Sequence, residues 1–326
     1  MAKPKLTIIG LGRTGASLGL ALKAEALSFE LVGHDKDSET AGIARKAGAV
    51  DKTEWNLHNA YADANMVILA VPFGELAELF ALMKDELKPG CTLLCLTKTM
   101  QPTLDLAAEI LPASVQVITA DPILTGMGDL PGDRADLFEE AIFCIAPSLT
   151  ASEPAVELCT NLITRIKAQP LFIDPVEHDG VVAGVEQLPR LMAMILMRMM
   201  GQGDGWRDGK KLAGRQFAQS TEMSASPSQM SSSLTANRAN IQRWMSELQA
   251  EMDVWAQALA PGNEEELTGL LEEAVDLRLR WEHEVKLKEW DERRQMLRES
   301  AKRDEPSLMR QMFMGNIFGG RRGADK

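Results

Sequence analysis

A chain of 326 residues, 45% hydrophobic and 25% charged, can bury a sizeable core, and its length suggests two domains. Its net charge of -12 argues against a nucleic-acid or anionic-membrane partner. The cysteines Cys91, Cys95, Cys144 and Cys159 lie scattered among apolar neighbours with no CxxC pair, which reads as buried free thiols in a reducing cytoplasm.

The start, MAKPKLTIIG, enters an apolar run at once and shows no signal-peptide pattern. Residues 5–10, 29–35, 65–71, 92–97, 115–120 and 141–147 read as strands, with 171–174 a further candidate. Their apolar character is continuous rather than alternating, as in strands covered on both faces. Helical patterns fill the gaps at 13–26, 38–48, 73–86, 102–111 and 151–167. This alternation predicts an α/β fold with a doubly wound sheet.

After FIDPVEHDG the character changes. One long helix is expected over 176–200, then a glycine-rich break at 201–209, then helices over roughly 229–259 and 263–300. The boundaries follow: a dinucleotide-binding domain over 1–173, a helical domain over 174–300, and a partly disordered tail over 301–326. The stretch LMAMILMRMM at 191–200 contains Arg198 and is too short to span a membrane; its methionines read as core or dimer interface.

The first strand runs into IIGLGRTGASLGLAL, where Gly10, Gly12 and Gly15 have GxGxxG spacing between a strand and a helix. Gly10 permits the tight turn, Gly12 lets a pyrophosphate approach, and Gly15 lets the helix pack on the strand. The helix N-terminus offers N–H groups to phosphates, and Arg13 and Thr14 can add donors. Asp35 stands 25 residues after Gly10, placed to accept from ribose hydroxyls, which favours NAD; Lys36 and Ser38 leave NADP open. Ala70, Val71 and Pro72 end another strand against the same cofactor, or form an ordinary strand-to-helix turn.

In ITADPILTG, Asp121 precedes a proline at a strand end. It either caps the next helix or faces a ligand beyond the sheet's carboxyl edge. In DPVEHDGVVAGVEQLPRLM, Asp174 reads as an N-cap and Pro189 as a kink beside Glu186, Gln187 and Arg190. His178, flanked by acids, reads as a first-turn surface residue. The four histidines lack ligand spacing, so no metal is expected.

Taken together, IIGLGRTGASLGLAL, VGHDKD, MVILAVP, DPILTG, DPVEHDGVVAGVEQLP and TANRAN resemble the prephenate/arogenate dehydrogenase family of tyrosine biosynthesis, in order over roughly residues 5–260. The resemblance implies a Rossmann domain, then an all-helical domain that builds a homodimer. It also implies NAD(P)-dependent oxidative decarboxylation, in which hydride leaves a ring carbinol carbon, CO2 departs and the ring becomes aromatic.

The substrate half departs from the family pattern. Where the family writes His-Pro, this chain has Asp121-Pro122, so Asp121 falls in the general-base slot. A family serine aligns with Lys98, which is either Asp121's partner or itself the acid–base group. Two histidines of the family's SHLPH pattern become Gln187 and Arg190, and a carboxylate-holding arginine aligns with Thr221. Arg190 is then the replacement clamp for a substrate carboxylate. Two alternatives stay open: a dehydrogenase acting on another small hydroxy acid or carbonyl, or a catalytically inactive nucleotide-binding dimer.

Overall fold

In the computed structural model, which describes residues 3–25, 28–124, 132–222 and 226–287, the apolar runs of the first half pair into one eight-stranded sheet. The order of elements is β1 (Lys5–Ile9), α1 (Arg13–Ala24), β2 (Glu30–His34), α2 (Ser38–Lys46), β3 (Lys52–Thr53), α3 (Leu57–Tyr61), β4 (Met66–Leu69) and α4 (Phe73–Met83). There follow β5 (Thr92–Leu96), α5 (Met100–Ile110), β6 (Gln116–Ile123), β7 (Ile142–Pro147), α6 (Glu153–Arg165) and β8 (Gln169–Phe172). The strand order is β3-β2-β1-β4-β5-β6-β7-β8, with β7 antiparallel to β6 and the other pairs parallel.

Side chains alternate across this sheet. Leu6, Ile8, Ile118 and Phe143 pack on one face with Leu18 and Ile163. Ile9, Val67, Leu69 and Leu93 pack on the other with Phe80 and Leu111. Both faces are covered, which is why the strands read as unbroken apolar runs. The order reverses direction at β1 and β4, and the cleft beyond their carboxyl ends is where such sheets take ligands.

The helical part holds α7 (Pro175–Val182), a π turn (Ala183–Gln187), α8 (Leu188–Gln202), α9 (Trp206–Leu212), α10 (Arg215–Ser220), α11 (Pro227–Ala236), α12 (Arg238–Ala258) and α13 (Glu264–Leu287). Asp174 does cap α7, accepting from the N–H groups of Val176 and Glu177. The single helix expected over 176–200 is instead interrupted by the π turn. Pro189 has no N–H for the carbonyl four residues back, and the wide turn sits there. The helix expected over 229–259 is broken at Asn237. The chain forms two compact units, one reaching Arg238 and one starting at Ala239. The proposed tail, 301–326, lies outside the described residues.

Pro175–Gln202 forms a 28-residue helical run containing an 18-residue window of mean hydropathy 1.3, long and apolar enough by length and composition to cross a bilayer, although residues 191–200 alone are not. Of α8 only Ala193 is buried, so its methionines are not core. All four cysteines are free and buried.

Two expectations need correction. Asp121 caps no helix: β6 continues through Asp121 and Pro122 to Ile123, and Asp121 pairs with Cys144 of β7. Pro122 fits because β7 arrives from the other side and the strand ends one residue later. His178 is not a surface residue but is 2% exposed, since its face of α7 packs towards β6 and β7.

Candidate active site

The glycine turn is shaped by contacts on two sides and open space on the third. Gly10 has φ +90°, and a Cβ there would meet the Ala70 carbonyl oxygen at 2.4 Å. A Cβ on Gly15 would meet the Gly10 carbonyl oxygen at 1.9 Å. A Cβ on Gly12 would meet nothing within 4 Å. Gly12 is the N-cap of α1 and supplies no side-chain cap, so the first N–H groups face the cleft without one.

Asp35, just beyond β2, accepts the Leu11 N–H through Oδ2 at 2.7 Å and the Asp37 N–H through Oδ1 at 2.9 Å. It thus ties the second strand's end to the glycine turn. Lys36 Nζ pairs with Glu75 at 2.5 Å. Ala70 continues the sheet by donating to the Ile9 carbonyl, which brings Ala70, Val71 and Pro72 to the same edge. The N-terminus of α1, with no cap, the open face of Gly12 and the placed carboxylate fit a dinucleotide.

One cleft of about 1080 Å³ joins this turn to the polar residues of β5, β6 and the π turn. Gly10, Gly12, Arg13, Thr14, Asp35, Ala70, Val71 and Pro72 line it, as do Lys98, Asp121, Gln187 and Arg190. Gly15 is not in its wall and acts in helix packing. Thr221 is not in its wall either; its hydroxyl donates to the Phe217 carbonyl at 2.7 Å.

Lys98 sits in the turn from β5 to α5. Thr97 and Thr99 fix that turn: the Thr99 N–H donates to Thr97 Oγ1 at 3.2 Å, and Thr103 Oγ1 donates to the Thr99 carbonyl at 2.7 Å. Lys98 Nζ lies 3.4 Å from Asp121 Oδ1 and 3.5 Å from Glu186 Oε2. Glu186 in turn pairs with Arg190 at 3.0 Å, one helical turn on. Arg190 therefore reaches Asp121 only through Glu186 and Lys98. Gln187, in the same wall but 3% exposed, is bonded to Asn237 and Ser233.

Behind Asp121 lies a group that sequence reasoning misplaced. His178 Nε2 is 3.4 Å from Asp121 Oδ2, and Nδ1 is 3.0 Å from Asp179 Oδ1. Asp179 also accepts the N–H groups of Met100 and Gln101 at the start of α5, at 2.7 and 2.9 Å. Burial works against a charged His178, but Asp121, Asp179 and the Cys144 thiol outweigh it and push the imidazole up to about 11. The His-Asp dipeptide was visible as a motif; its burial depended on partners far away in sequence.

A mostly parallel doubly wound sheet with an open glycine turn, joined to a helical segment in one cleft, defines a two-part nucleotide-binding protein. Residues 18–171 match the family model described as prephenate dehydrogenase, nucleotide-binding domain, and residues 174–273 match prephenate dehydrogenase, dimerization domain. The chain belongs to the prephenate dehydrogenase family. It is 27% identical over 197 residues to a prephenate dehydrogenase of Bacillus subtilis, covering 60% of this chain and 53% of the relative. A cyclohexadienyl dehydrogenase of Zymomonas mobilis is 23% identical over 197 residues, with 60% and 67% covered. The chain thus spans about half the length of the first curated relatives it matches. Among solved structures, prephenate dehydrogenase from Aquifex aeolicus, in complex with hydroxyphenyl propionate and NAD+, has a TM-score of 0.77 at 18% identity, covering 86% of this chain and 99% of that one. Synechocystis arogenate dehydrogenase has a TM-score of 0.68 at 18% identity, with 85% and 99% covered. At these identities the structures show a shared fold.

Proposed function

We propose that this chain is an NAD-dependent dehydrogenase that oxidatively decarboxylates prephenate or arogenate. The observation that carries the reading is the single cleft running from the glycine turn to Lys98 and Asp121. NAD bound there supplies the hydride acceptor. The Asp35 carboxylate favours it over NADP by repelling a 2′-phosphate.

In this reading the substrate's ring carbinol lies against Asp121. Its C–H bond gives up hydride while its O–H proton passes to the Asp121 carboxylate. The C–CO2 bond then cleaves; its electrons complete the aromatic ring and shift the carbonyl pair onto oxygen, which takes its proton back from Asp121 as CO2 leaves. A carboxylate suffices as base here, because a hydroxyl losing hydride from its own carbon becomes a strongly acidic protonated carbonyl. Lys98 orients the hydroxyl and steadies the carboxylate. Arg190, in the cleft wall beside Glu186, holds a substrate carboxylate through its bidentate fork. Thr221, outside the cleft wall and bonded to the Phe217 carbonyl, has no substrate contact in this reading.

The functional division follows the change in architecture near 173–174, with 1–173 binding the dinucleotide and 174–300 contributing substrate contacts and the homodimer interface. The match to a dimerization domain and the exposed apolar side chains of α8 support the homodimer. Four buried free thiols support a cytoplasmic location.

The experiment is direct. Purified protein is given NAD or NADP with prephenate or arogenate, and reduced nicotinamide is followed by absorbance. Turnover of either substrate is expected. If both substrates fail with both cofactors while calorimetry shows NAD bound, the prephenate/arogenate reading falls, and a different small hydroxy acid or carbonyl substrate or an inactive nucleotide-binding dimer takes its place.

A further inference from the structure

The contact between Asp121 on β6 and His178 on α7 is buried on both sides, the residues being 1% and 2% exposed. Asp121 Oδ2 and His178 Nε2 lie 3.4 Å apart, and neither atom has a hydrogen-bond partner among the described residues. We propose that His178 is a positioning residue for Asp121: clamped by Asp179, its imidazolium keeps the Asp121 carboxylate charged and turns Oδ1 towards the reacting hydroxyl. Asp121's part in the reaction rests on the dehydrogenase reading above; the pairing of the two residues does not.

The geometry constrains the protons. Both Asp179 oxygens accept backbone N–H groups of α5, so this carboxylate is an acceptor on every side. His178 Nδ1, at 3.0 Å, must therefore donate to it. A neutral imidazole with Nδ1–H would leave a lone pair on Nε2, aimed at a carboxylate oxygen in a site closed to water. Two facing acceptors there repel, and neither is compensated. One proton belongs in the contact, on Nε2 or on Oδ2.

The surrounding charges choose between them. His178 faces Asp179 on its own helix, Asp121 on β6 and the Cys144 thiol on β7. Asp121 faces His178 and Lys98, and Lys98 faces Glu186 beyond it. Two carboxylates around the imidazole, and the Lys98 ammonium beside Asp121, place the proton on His178. Asp121 Oδ2 is then occupied by His178, and Oδ1, beside Lys98, is the oxygen left to the cleft. The substrate's proton moves to Oδ1 as its O–H pair becomes the carbonyl bond.

The test has two arms. In the first, the full chain is labelled with 15N, and the His178 imidazole is followed by NMR from about pH 5 to about pH 10, with no nucleotide or substrate present. His178 should stay doubly protonated across neutral pH. In Asp121→Asn its midpoint should fall by more than about one unit, while His34, His58 and His283 keep theirs. A wild-type His178 that titrates near the ordinary histidine value, or one indifferent to Asp121→Asn, overturns the pairing. In the second arm, kcat of His178→Gln is measured against pH with the substrate that turns over. Its acid limb should move up by about one to three units, with kcat recovering at high pH. A uniform loss of kcat at every pH would mean a structural role only and would overturn the proposal. If wild type turns over neither prephenate nor arogenate, the dehydrogenase reading fails on its own, and the NMR arm still decides the pair.

Discussion

Asp121 stands directly across the β6–β7 ladder from Cys144, in antiparallel register. A residue so placed has its backbone committed to the sheet, and the strand continues through the next two residues, so its side chain caps no helix start there. Asp121→Asn should therefore leave the fold intact, as judged by circular dichroism and thermal melting. It should lower kcat by about 10²–10⁴-fold, the usual loss for a general base. Wild-type kcat in this variant would remove Asp121 from the chemistry.

The glycines of the first turn separate binding from folding. Gly10→Ala places a Cβ against the Ala70 carbonyl and forces a left-handed φ on alanine, so its melting temperature should drop. Gly12→Val has open space around it and should melt close to wild type. Calorimetry should nonetheless find its NAD affinity lost, because the valine fills the phosphate approach. Undiminished affinity would mean that the dinucleotide lies elsewhere.

Arg190 is partly exposed and paired only with Glu186 one turn away among the described contacts, so its contribution to stability is small. As a carboxylate clamp it matters more. Arg190→Ala should raise KM by about 10–100-fold, in line with losing a charged hydrogen bond, and change kcat little. Equal effects on kcat and kcat/KM would place Arg190 at the reacting centre instead.

His178 also makes stability depend on pH with a definite sign. Its folded-state value is raised, to about 11 against an ordinary 6.5. The stabilisation is therefore complete below about 6.5 and is lost as pH climbs towards 11. Urea unfolding of wild type and His178→Gln at a series of pH values should show a gap that narrows as pH rises. A gap that widens would contradict the charged imidazole.

The apolar side of α8 makes a prediction about assembly. Met199 is 61% exposed in the single chain, more than a helix in water needs to leave bare. Light scattering at micromolar concentration should give a dimer mass, and Met199→Glu should shift it towards monomer. A monomeric wild type would contradict the dimer.

Much of this was readable in the sequence because it is local. Strands buried on both faces announce themselves as apolar runs, and the Gly10, Gly12 and Gly15 spacing carries its turn with it. The two-residue strand β3 has too few residues to show any period. Asp121-Pro122 resembles a helix start until β7 is seen to pair with it. His178 lies between two acids and looks solvated; what buries it comes from β6, β7 and α5. Asp179 binds amides 78 and 79 positions away, a separation that no pattern of neighbours reveals.

The π turn at Ala183–Gln187 works within its helix as a frameshift does within a message. On the inward side the buried residues run His178, Asp179, Val182 and Ala183, and an uninterrupted helix would next turn Glu186 inward. The one extra residue hands that place to Gln187, whose neutral amide satisfies Asn237 and Ser233. Glu186 is released to the cleft, where it meets Lys98 and Arg190. Removing a single residue from 183–185 would reverse the assignment, burying a carboxylate against Asn237 and taking the counter-charge away from Lys98. The length of this short segment is therefore under tighter constraint than the identity of the small residues that compose it.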